Sequence, residues 1–265
     1  MAKVAFFNFS YTDTHKIFSV GKNSFIRLKF KLNTKELKKR RILNLKENNN
    51  IISLVKENGE IEYYPDLLNI QIEFYGKNNV VELHEPLSTF SNCRIILQDN
   101  SSVKILKQQE HQIANLYIFA RYSTGINISI GENCSINQLN IEATRSKDLI
   151  CQIGNNCMIS SDTMLRLHDA HTIYDVNTKL PLNKPSKGIV IGDNCWISQF
   201  VKILKDVEIP ASSIIGIGSI VTKSFEKENT IIAGIPAKIV RENIAWDRLN
   251  VFSYEENLMR NELNV

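Results

Sequence analysis

A period of six residues governs the segment from Ile191 to Val221 and constrains the fold more than any other feature of the chain. Aliphatic residues recur there at every sixth position: Ile191, Ile197, Ile203, Ile209, Ile215 and Val221. Small or β-branched residues stand four positions after each of the first five: Cys195, Val201, Val207, Ser213 and Ser219. An amphipathic helix repeats its apolar face every three or four residues and an alternating strand every two, so neither predicts this spacing.

A β-helix does predict it. Each six-residue unit forms one short parallel strand and a corner, and three units close one triangular coil. The recurring aliphatic side chain points inward and stacks on its counterparts in the neighbouring coils, which bury the inner face that one coil leaves open. The alternative is an ordinary parallel-sheet segment rich in Ile and Val, and five consecutive units argue against it.

A second phrase, Gly-x-Asn followed by a small residue and an aliphatic one, extends the pattern towards the N-terminus. Gly and Asn suit corners because both tolerate left-handed backbone conformations. The phrase predicts one irregular solenoid whose coils carry small insertions, with a separate N-terminal α/β domain as the alternative. Its copies are GKNSFI from Gly21, GKNNVV from Gly76, GENCSI from Gly131, GNNCMI from Gly154 and GDNCWI from Gly192.

The predicted organisation has three parts. Residues 1–65 form an irregular N-terminal region, either early coils or a small cap, and residues 66–240 form the β-helix. Residues 241–265 read as a charged amphipathic α-helix that packs across the open end of the solenoid. Residues 166–188 interrupt the sixes with two prolines and little apolar periodicity, and they predict an insertion loop, a feature that is often functional.

Composition favours an ordinary globular protein of the cytoplasm. Hydrophobic residues make up 43% and charged residues 23% of the 265 residues, with a net charge of +4 and no polybasic tail for nucleic acid. No apolar run reaches the length of a membrane span, and the N-terminus lacks a secretory signal. The cysteine count is odd, and Cys134, Cys157 and Cys195 occupy one slot of the Gly-x-Asn phrase, so they read as buried corner residues.

Three stretches carry a resemblance to a known family: IIGIGSIVTK at 214–223, AGIPAKIV at 233–240 and HDAHTIYD at 168–175. The first two resemble the left-handed β-helix, or hexapeptide-repeat, acyltransferases. The third resembles the branch that O-acetylates capsular and other surface polysaccharides. The resemblance implies an all-β chain, a left-handed parallel β-helix, acetyl-CoA as co-substrate and a homotrimer with catalytic sites between subunits.

The resemblance also implies roles for residues of the loop. His171 matches the family's general base, and Asp169 matches the motif's aspartate, which either tunes the imidazole or caps the loop turn. Tyr174 matches a tyrosine and is expected to contact substrate. His168 replaces a small hydroxylated residue, so it either binds the acceptor or lies exposed. A bland alternative for His171 is an ordinary surface-loop histidine.

Further roles fall on the regular coils. Trp196 faces outward and so has something to cover; in the family an aromatic residue here lines the tunnel shared by thioester and acceptor. A neighbouring subunit is the alternative cover. The backbone N–H of Gln199 is expected to face the thioester carbonyl. The expected acetyl-CoA contacts are Ile217 and Gly218 along the pantetheine, Thr222 and Lys223 further along, and Lys238 near the phosphates.

The sequence therefore predicts an acetyl-CoA-dependent O-acetyltransferase of a bacterial capsular or surface polysaccharide, cytoplasmic or peripheral to the capsule machinery at the inner membrane. Alternatives are acetylation of a small acceptor (a nucleotide-activated sugar, a free sugar or serine) and a non-catalytic binding solenoid. Carbon dioxide hydration at a zinc site is a further reaction class. It needs three convergent ligands, which His168 and His171 alone do not supply. No metal is expected.

Overall fold

The computed structural model describes residues 7–12, 15–20, 28–31, 43–108 and 111–262. The chain divides into two compact units, residues 1–50 and 51–265. In the first unit, strands β1 (Phe7–Thr12), β2 (His15–Val20) and β3 (Leu28–Lys31) form an antiparallel sheet in the order β1-β2-β3, and residues 43–47 are helical. Within the predicted region 1–65, residues 1–6, 13–14, 21–27 and 32–42 lie outside the described residues.

The second unit begins with a hairpin and a first round of strands. These elements are β4 (Ile51–Val55), β5 (Ile61–Tyr63), β6 (Ile70–Phe74), β7 (Val80–His84), a 3-10 helix (Leu87–Thr89), β8 (Phe90–Ser91), β9 (Cys93–Asp99), β10 (Ser102–Ile105), β11 (Ile113–Ala114), β12 (Leu116–Thr124), β13 (Asn127–Ile130), β14 (Ser135–Ile136) and β15 (Leu139–Glu142). Because β4 pairs in parallel with β7, the coils start at residue 51, inside the region 1–65 for which early coils were one of the two alternatives.

The later strands are β16 (Ile150–Ile153), β17 (Met158–Ile159), β18 (Thr163–Arg166), β19 (Gly188–Ile191), β20 (Trp196–Ile197), β21 (Lys202–Leu204), β22 (Val207–Ile209), β23 (Ile214–Ile215), β24 (Ile220–Val221), β25 (Ile231–Gly234) and β26 (Ala237–Arg241). An α-helix spans Val251–Glu262. None of the helices in the described residues is both long and apolar enough to cross a membrane.

The strands stack into three sheets, and the chain visits them in a fixed rotation. Sheet A has the order β22-β19-β16-β13-β10-β7-β4-β5, sheet B the order β26-β25-β23-β20-β17-β14-β11-β8, and sheet C the order β24-β21-β18-β15-β12-β9-β6. From β7 to β24 each coil runs from A to B to C, and the pairings between coils are parallel. The fold is the predicted all-β, left-handed parallel β-helix.

The six-residue period marks the interior, as predicted. All six aliphatic residues of the repeat, from Ile191 to Val221, are at most 2% exposed, and the five small residues between them are at most 1% exposed. Each buried aliphatic side chain contributes about 1.5–3 kcal/mol to folding. The corner prediction for the cysteines is also confirmed: Cys134, Cys157 and Cys195 are free and fully buried.

The C-terminal prediction is wrong in its start and its path. The helix begins at Val251 rather than residue 241, and a non-helical stretch, the strap (residues 244–250), precedes it. The strap follows the A/B edge: Trp246 Nε1 donates to the carbonyl of Asn194 at 2.7 Å, and Arg248 donates to the carbonyl of Cys157 at 3.2 Å and to Ser135 Oγ at 2.8 Å. The side chains of Trp246 and Arg248 reach these corner groups from an extended backbone, whereas a helix that began at residue 241 would direct them elsewhere.

Candidate active site

The insertion loop leaves the β-helix at the C/A edge, between β18 and β19. The strand register shows how long the loop is. Across the coil that contains the loop, the paired residues Ile150 and Gly188 are 38 positions apart, whereas Ile189 and Val207, across the next coil, are 18 positions apart. Within the loop, the amide of Leu182 donates to the carbonyl of Ile173 at 2.7 Å, and the amide of Asp175 donates to the carbonyl of Leu180 at 3.0 Å. The loop therefore contains its own short hairpin rather than irregular chain.

Two adjacent corner residues of the next coil hold both ends of the loop. Lys205 Nζ lies 2.7 Å from Asp169 Oδ2 at the start of the loop. At its end, Asp206 Oδ1 accepts the amides of Ser186 at 2.9 Å and Lys187 at 2.7 Å. Partial burial tends to raise the pKa of Asp206, but these amide hydrogen bonds outweigh it and lower the pKa below its ordinary value. The base of the loop is thus fixed to the solenoid.

His171 is exposed at the rim of this loop. Its carbonyl accepts a hydrogen bond from Asn183 Nδ2 at 2.8 Å, and Asn183 Oδ1 accepts the amide of Ile173 at 2.8 Å. Within the part of the chain that the structure describes, its imidazole makes no hydrogen bond. The backbone around the ring is therefore held while both ring nitrogens are available to a bound molecule.

The partners of Asp169 are residues other than the His171 imidazole. Its carboxylate binds Lys205 and accepts from Asn183 Nδ2 at 2.9 Å. Burial alone would raise the pKa of Asp169, but the hydrogen bonds from Lys205 and Asn183 lower it. Of the two roles predicted for this residue, securing the loop is the one that its contacts support, and no hydrogen bond links it to the His171 ring.

His168 and Tyr174 lie in different surroundings. His168 is only 5% exposed and both ring nitrogens are buried without a hydrogen-bond partner, so the prediction of an exposed side chain is wrong and its burial argues against contact with an acceptor. Burial, followed by the charge of Arg166, lowers its pKa and keeps it neutral. Tyr174 is 52% exposed in the hairpin, with Lys179 Nζ 5.5 Å from its ring.

Trp196 lies on the outer face of sheet B and does have a cover. The cover is Trp246 of the strap, with ring centroids 6.1 Å apart and planes at 47°. The indole nitrogen of Trp196 is buried without a partner. A tunnel lined by Trp196 stays a prediction. The strap counts against it, because Trp246 already covers this face of Trp196.

The B/C edge brings together another part of the predicted set. The carbonyl of Gln199 accepts the amide of Gly218 at 2.9 Å, so the two corners stack directly. Among the described residues nothing accepts a hydrogen bond from the backbone N–H of Gln199, whereas its side-chain Nε2 donates to Asp162 Oδ2 at 3.4 Å. Ile217 is 69% exposed beside it, and Gly218 has a φ of +70° with open space around it. The B/C edge therefore presents the exposed apolar side chain of Ile217 and the unpaired backbone N–H of Gln199.

The remaining cofactor candidates surround the last coil. Thr222 and Lys223 follow β24 at the C/A edge, and Lys223 Nζ lies 5.7 Å from the Phe225 ring. Lys238 is exposed on β26, opposite Ala233. One chain therefore places His171 and Gln199 at opposite edges of sheet C. Gln199 and Lys205 are six positions apart, on either side of β21, which corresponds to at most about 20 Å along the chain.

Sequence reasoning missed the residues that hold the site. Lys205, Asp206 and Asn183 anchor the loop, and Trp246 covers Trp196. A signal exists for Asp206, since an acidic residue at a tight corner after an insertion can accept several amides. Among the described residues, no group of three or more His, Cys, Asp or Glu side chains could hold a metal ion.

Comparison with known proteins places the chain near acetyltransferases. No family model matches it. Over 91 residues it is 35% identical to a polysialic acid O-acetyltransferase of Escherichia coli O1:K1, covering 34% of this chain but only 29% of that protein. Over 123 residues it is 36% identical to galactoside O-acetyltransferase of E. coli K12, covering 46% of this chain and 57% of that protein. These matches span less than two thirds of either relative.

Two longer matches cover more of the chain. A putative acetyltransferase of Saccharomyces cerevisiae is 28% identical over 188 residues, covering 69% of this chain and 87% of that protein. The crystal structure of the polysialic-acid-specific acetyltransferase NeuO superposes with a TM-score of 0.58 at 26% identity, covering 81% of this chain and 85% of that one. The likeness therefore extends over most of the β-helix.

Proposed function

Because the chain is a left-handed β-helix that resembles the hexapeptide-repeat acyltransferases, and among them those of polysaccharides, we propose that it transfers an acetyl group from acetyl-CoA to a hydroxyl of a bacterial capsular or surface polysaccharide. The observation that supports this best is His171. Its imidazole is exposed and unengaged, yet its backbone is held by Asn183 in a loop anchored at both ends. A general base needs this combination of fixed position and free nitrogen.

The proposed reaction is a direct transfer. A neutral His171 nitrogen takes the proton of the acceptor hydroxyl as its oxygen attacks the thioester carbonyl carbon. The tetrahedral intermediate collapses by breaking the carbon–sulfur bond, and the departing thiolate of CoA takes the proton from the imidazolium. The products are the acetyl ester and free CoA, and His171 returns to its neutral form.

The B/C edge supplies the other requirement, a donor for the oxyanion. The backbone N–H of Gln199 has no acceptor among the described residues, and the exposed apolar residue Ile217 lies in the corner stacked next to it. A preorganised amide aimed at the developing negative charge lowers the barrier. In this proposal Ile217 and Gly218 contact the pantetheine arm, Thr222 and Lys223 lie further along it, and Lys238 approaches the phosphates.

A second copy of the chain completes the site. His171 and Gln199 lie at opposite edges of sheet C, so a single chain does not place base and oxyanion donor around one thioester. If triangular solenoids pack side by side about a threefold axis, an edge of one subunit faces an edge of the next. The proposal therefore includes a homotrimer with three sites at the seams. It also includes a cytoplasmic location, peripheral to the inner-membrane capsule machinery, where donor and growing polymer would meet.

A small acceptor is the second candidate. The observation in its favour is the 36% identity over 123 residues to a protein named galactoside O-acetyltransferase. Both candidates use the same base, so they differ only in what occupies the acceptor side of the site.

The test is acetyl transfer from acetyl-CoA, corrected for hydrolysis, to a panel of bacterial polysaccharides and to galactosides, nucleotide sugars and serine. His171→Ala is expected to lower kcat at least 10³-fold while leaving acetyl-CoA binding nearly intact. His84→Ala is the matched control, because His84 hydrogen-bonds Glu82 on β7, far from the loop. Lys238→Ala should raise the KM for acetyl-CoA more than it lowers kcat. Unchanged turnover in His171→Ala would remove the proposed base, and turnover only with small acceptors would select the second candidate.

A further inference from the structure

An unpaired arginine stands on the outer face of sheet C. Along β12 the side chains alternate, with Ile118 and Ala120 fully buried and Tyr117, Phe119 and Arg121 pointing outward. Four strand steps from residue 117 to 121 span about 13 Å. This outward row, with Tyr75 and Tyr122 beside it, is called the β12 surface below.

The guanidinium of Arg121 is held by aromatic rings and lacks a counter-ion. Its Cζ lies 3.9 Å from the centroid of the Tyr75 ring and 5.0 Å from that of Tyr122. Its Nε is buried without a hydrogen-bond partner, and no carboxylate of a described residue forms an ion pair with it. A planar guanidinium fixed in this way can donate two parallel hydrogen bonds from its remaining N–H groups to one carboxylate.

The other outward arginines of sheet C that the structure describes are neutralised. Arg94 lies 2.7 Å from Glu73, and Arg166 lies 3.2 Å from Glu142. The stacked but unpaired state of Arg121 is therefore not a general property of this face.

The surroundings of Arg121 suit a saccharide. The rings of Tyr117 and Phe119 lie 5.8 Å apart at 23°, which gives a flat apolar platform for the C–H face of a sugar ring. A cavity of about 380 Å³ adjoins Tyr117, and its amide side chains can donate to and accept from hydroxyls. The cavity is lined by Asn92, Arg94, Asn115, Leu116, Tyr117 and Gln138.

The β12 surface also lies on the same sheet as β18, the strand that leads into the insertion loop. Phe119 pairs with Glu142, and Glu142 pairs with Arg166, the last strand residue before the loop. Two coils separate the rows, which corresponds to about 10 Å. A polymer that extends from the loop along sheet C would pass over this surface.

We infer that the β12 surface is a binding site for an acidic oligosaccharide segment, with Arg121 gripping a sugar carboxylate and Tyr117 and Phe119 stacking on the adjoining ring. The identification of this ligand as the acceptor rests on the proposed function. The binding site itself does not, because it can be measured without acetyl-CoA.

The experiment titrates the full chain, without acetyl-CoA, with three hexasaccharides: hexagalacturonate, an α-2,8-linked sialic acid hexamer and the neutral maltohexaose. Wild type is expected to bind at least one acidic hexamer and to bind maltohexaose at least tenfold more weakly. Arg121→Gln should weaken acidic binding at least tenfold. Arg121→Lys should weaken it at least threefold, because a lysine keeps the charge but loses the stacked fork. Lys147→Gln, an exposed cation 3.8 Å from Asp148, is the matched control and should stay within twofold.

Several results would overturn the inference: binding of neither acidic hexamer by wild type, equal affinity for maltohexaose, equal losses in Lys147→Gln and Arg121→Gln, or a change of oligomeric mass in Arg121→Gln, which would make the surface a subunit contact. Thermal melting of each variant separates unfolding from lost binding, and Arg121→Lys carries the test if Arg121→Gln is unfolded. Failure here leaves the proposed transferase intact if His171→Ala still abolishes transfer to a neutral acceptor.

Discussion

The coils before the insertion loop and those after it close the same triangle in different ways. In the earlier coils, equivalent strand residues are 22 to 29 positions apart, with 23 between Asn127 and Ile150; after the loop they are 18 apart, as with Ile189 and Val207. Most of the difference lies at the C/A edge. Ten positions separate the buried Ile141 and Cys151 across an early corner, whereas four separate Ile203 and Val207 across a late one.

The wide corners at the C/A edge contain internal polar partners. Ser123 Oγ accepts the amide of Ser146 at 3.1 Å and donates to the carbonyl of Ala143, in buried corners of neighbouring coils. The hydroxyl of Ser213, at the A/B edge of a late coil, is instead buried without a partner. Extra corner residues bring extra backbone groups out of water, and side chains must satisfy them. The loop sits where one kind of coil gives way to the other.

The largest effect is expected at the junction between the two kinds of coil. Gly188 begins β19 with a φ of +109°, and a Cβ there would lie 1.9 Å from the carbonyl oxygen of Ile150. We expect Gly188→Ala to lower the free energy of unfolding by about 3–5 kcal/mol, because the collision is with backbone that cannot move aside. Urea denaturation at pH 7 measures it.

Gly59→Ala is the control for that variant. Gly59 also has a positive φ, +84°, but nothing lies within 4 Å of an added Cβ. It should cost only about 1–2 kcal/mol, the strain of a left-handed alanine. Equal losses in the two variants would mean that backbone strain alone, and not the packing of β19 on β16, makes glycine necessary at the junction.

A smaller effect separates the corner serines. Ser123→Ala should lower the free energy of unfolding by about 1–3 kcal/mol, because the buried amide of Ser146 loses its acceptor. Ser213→Ala removes a buried hydroxyl that has no partner, so it should be neutral or stabilise by up to about 1 kcal/mol. The same denaturation experiment compares them. A larger loss in Ser213→Ala than in Ser123→Ala would contradict the distinction between a buried hydroxyl that satisfies a backbone amide and one that has no partner.

The smallest effect is the pH dependence of the loop anchor. The folded pKa of Asp206 lies below its ordinary value, so its contribution to stability is present above that value, near about 4, and is lost as the pH falls through the folded pKa. Asp206→Asn should destabilise by about 1 kcal/mol at pH 7, after allowing for partial exposure. The difference between the two proteins should vanish at low pH. A difference that persists there would assign the effect to shape rather than charge.

The sequence predicted the interior of the late coils well because one rule governs them. A corner of fixed length puts every sixth residue inside, so Ile191, Ile197 and Ile203 could be assigned from spacing alone, and the buried cysteines followed from their slot. The early coils blur this signal, because a corner of ten residues breaks the count. For that reason the sequence left two alternatives, early coils or a small cap, for the region before residue 66.

The loop anchors and the strap could not be read from the sequence, since each depends on contacts between distant residues. Lys205 and Asp206 look like an ordinary charged corner until the loop is folded beside them. The sequence around Trp246 and Arg248 is equally compatible with a helix. The extended path is explained by their hydrogen bonds to the carbonyls of Asn194 and Cys157, which the sequence does not reveal. The family resemblance supplied His171 but not what holds it.

The strap has a consequence for the order in which the molecule is completed. Residues 244–250 emerge from the ribosome after every coil that they touch, from the corner at Asn133 to that at Asn194. Coils of a solenoid contact only their neighbours and can add one at a time during synthesis. The strap contacts several coils at once, so we expect it to join the stack last and to make its coils unfold together rather than one by one.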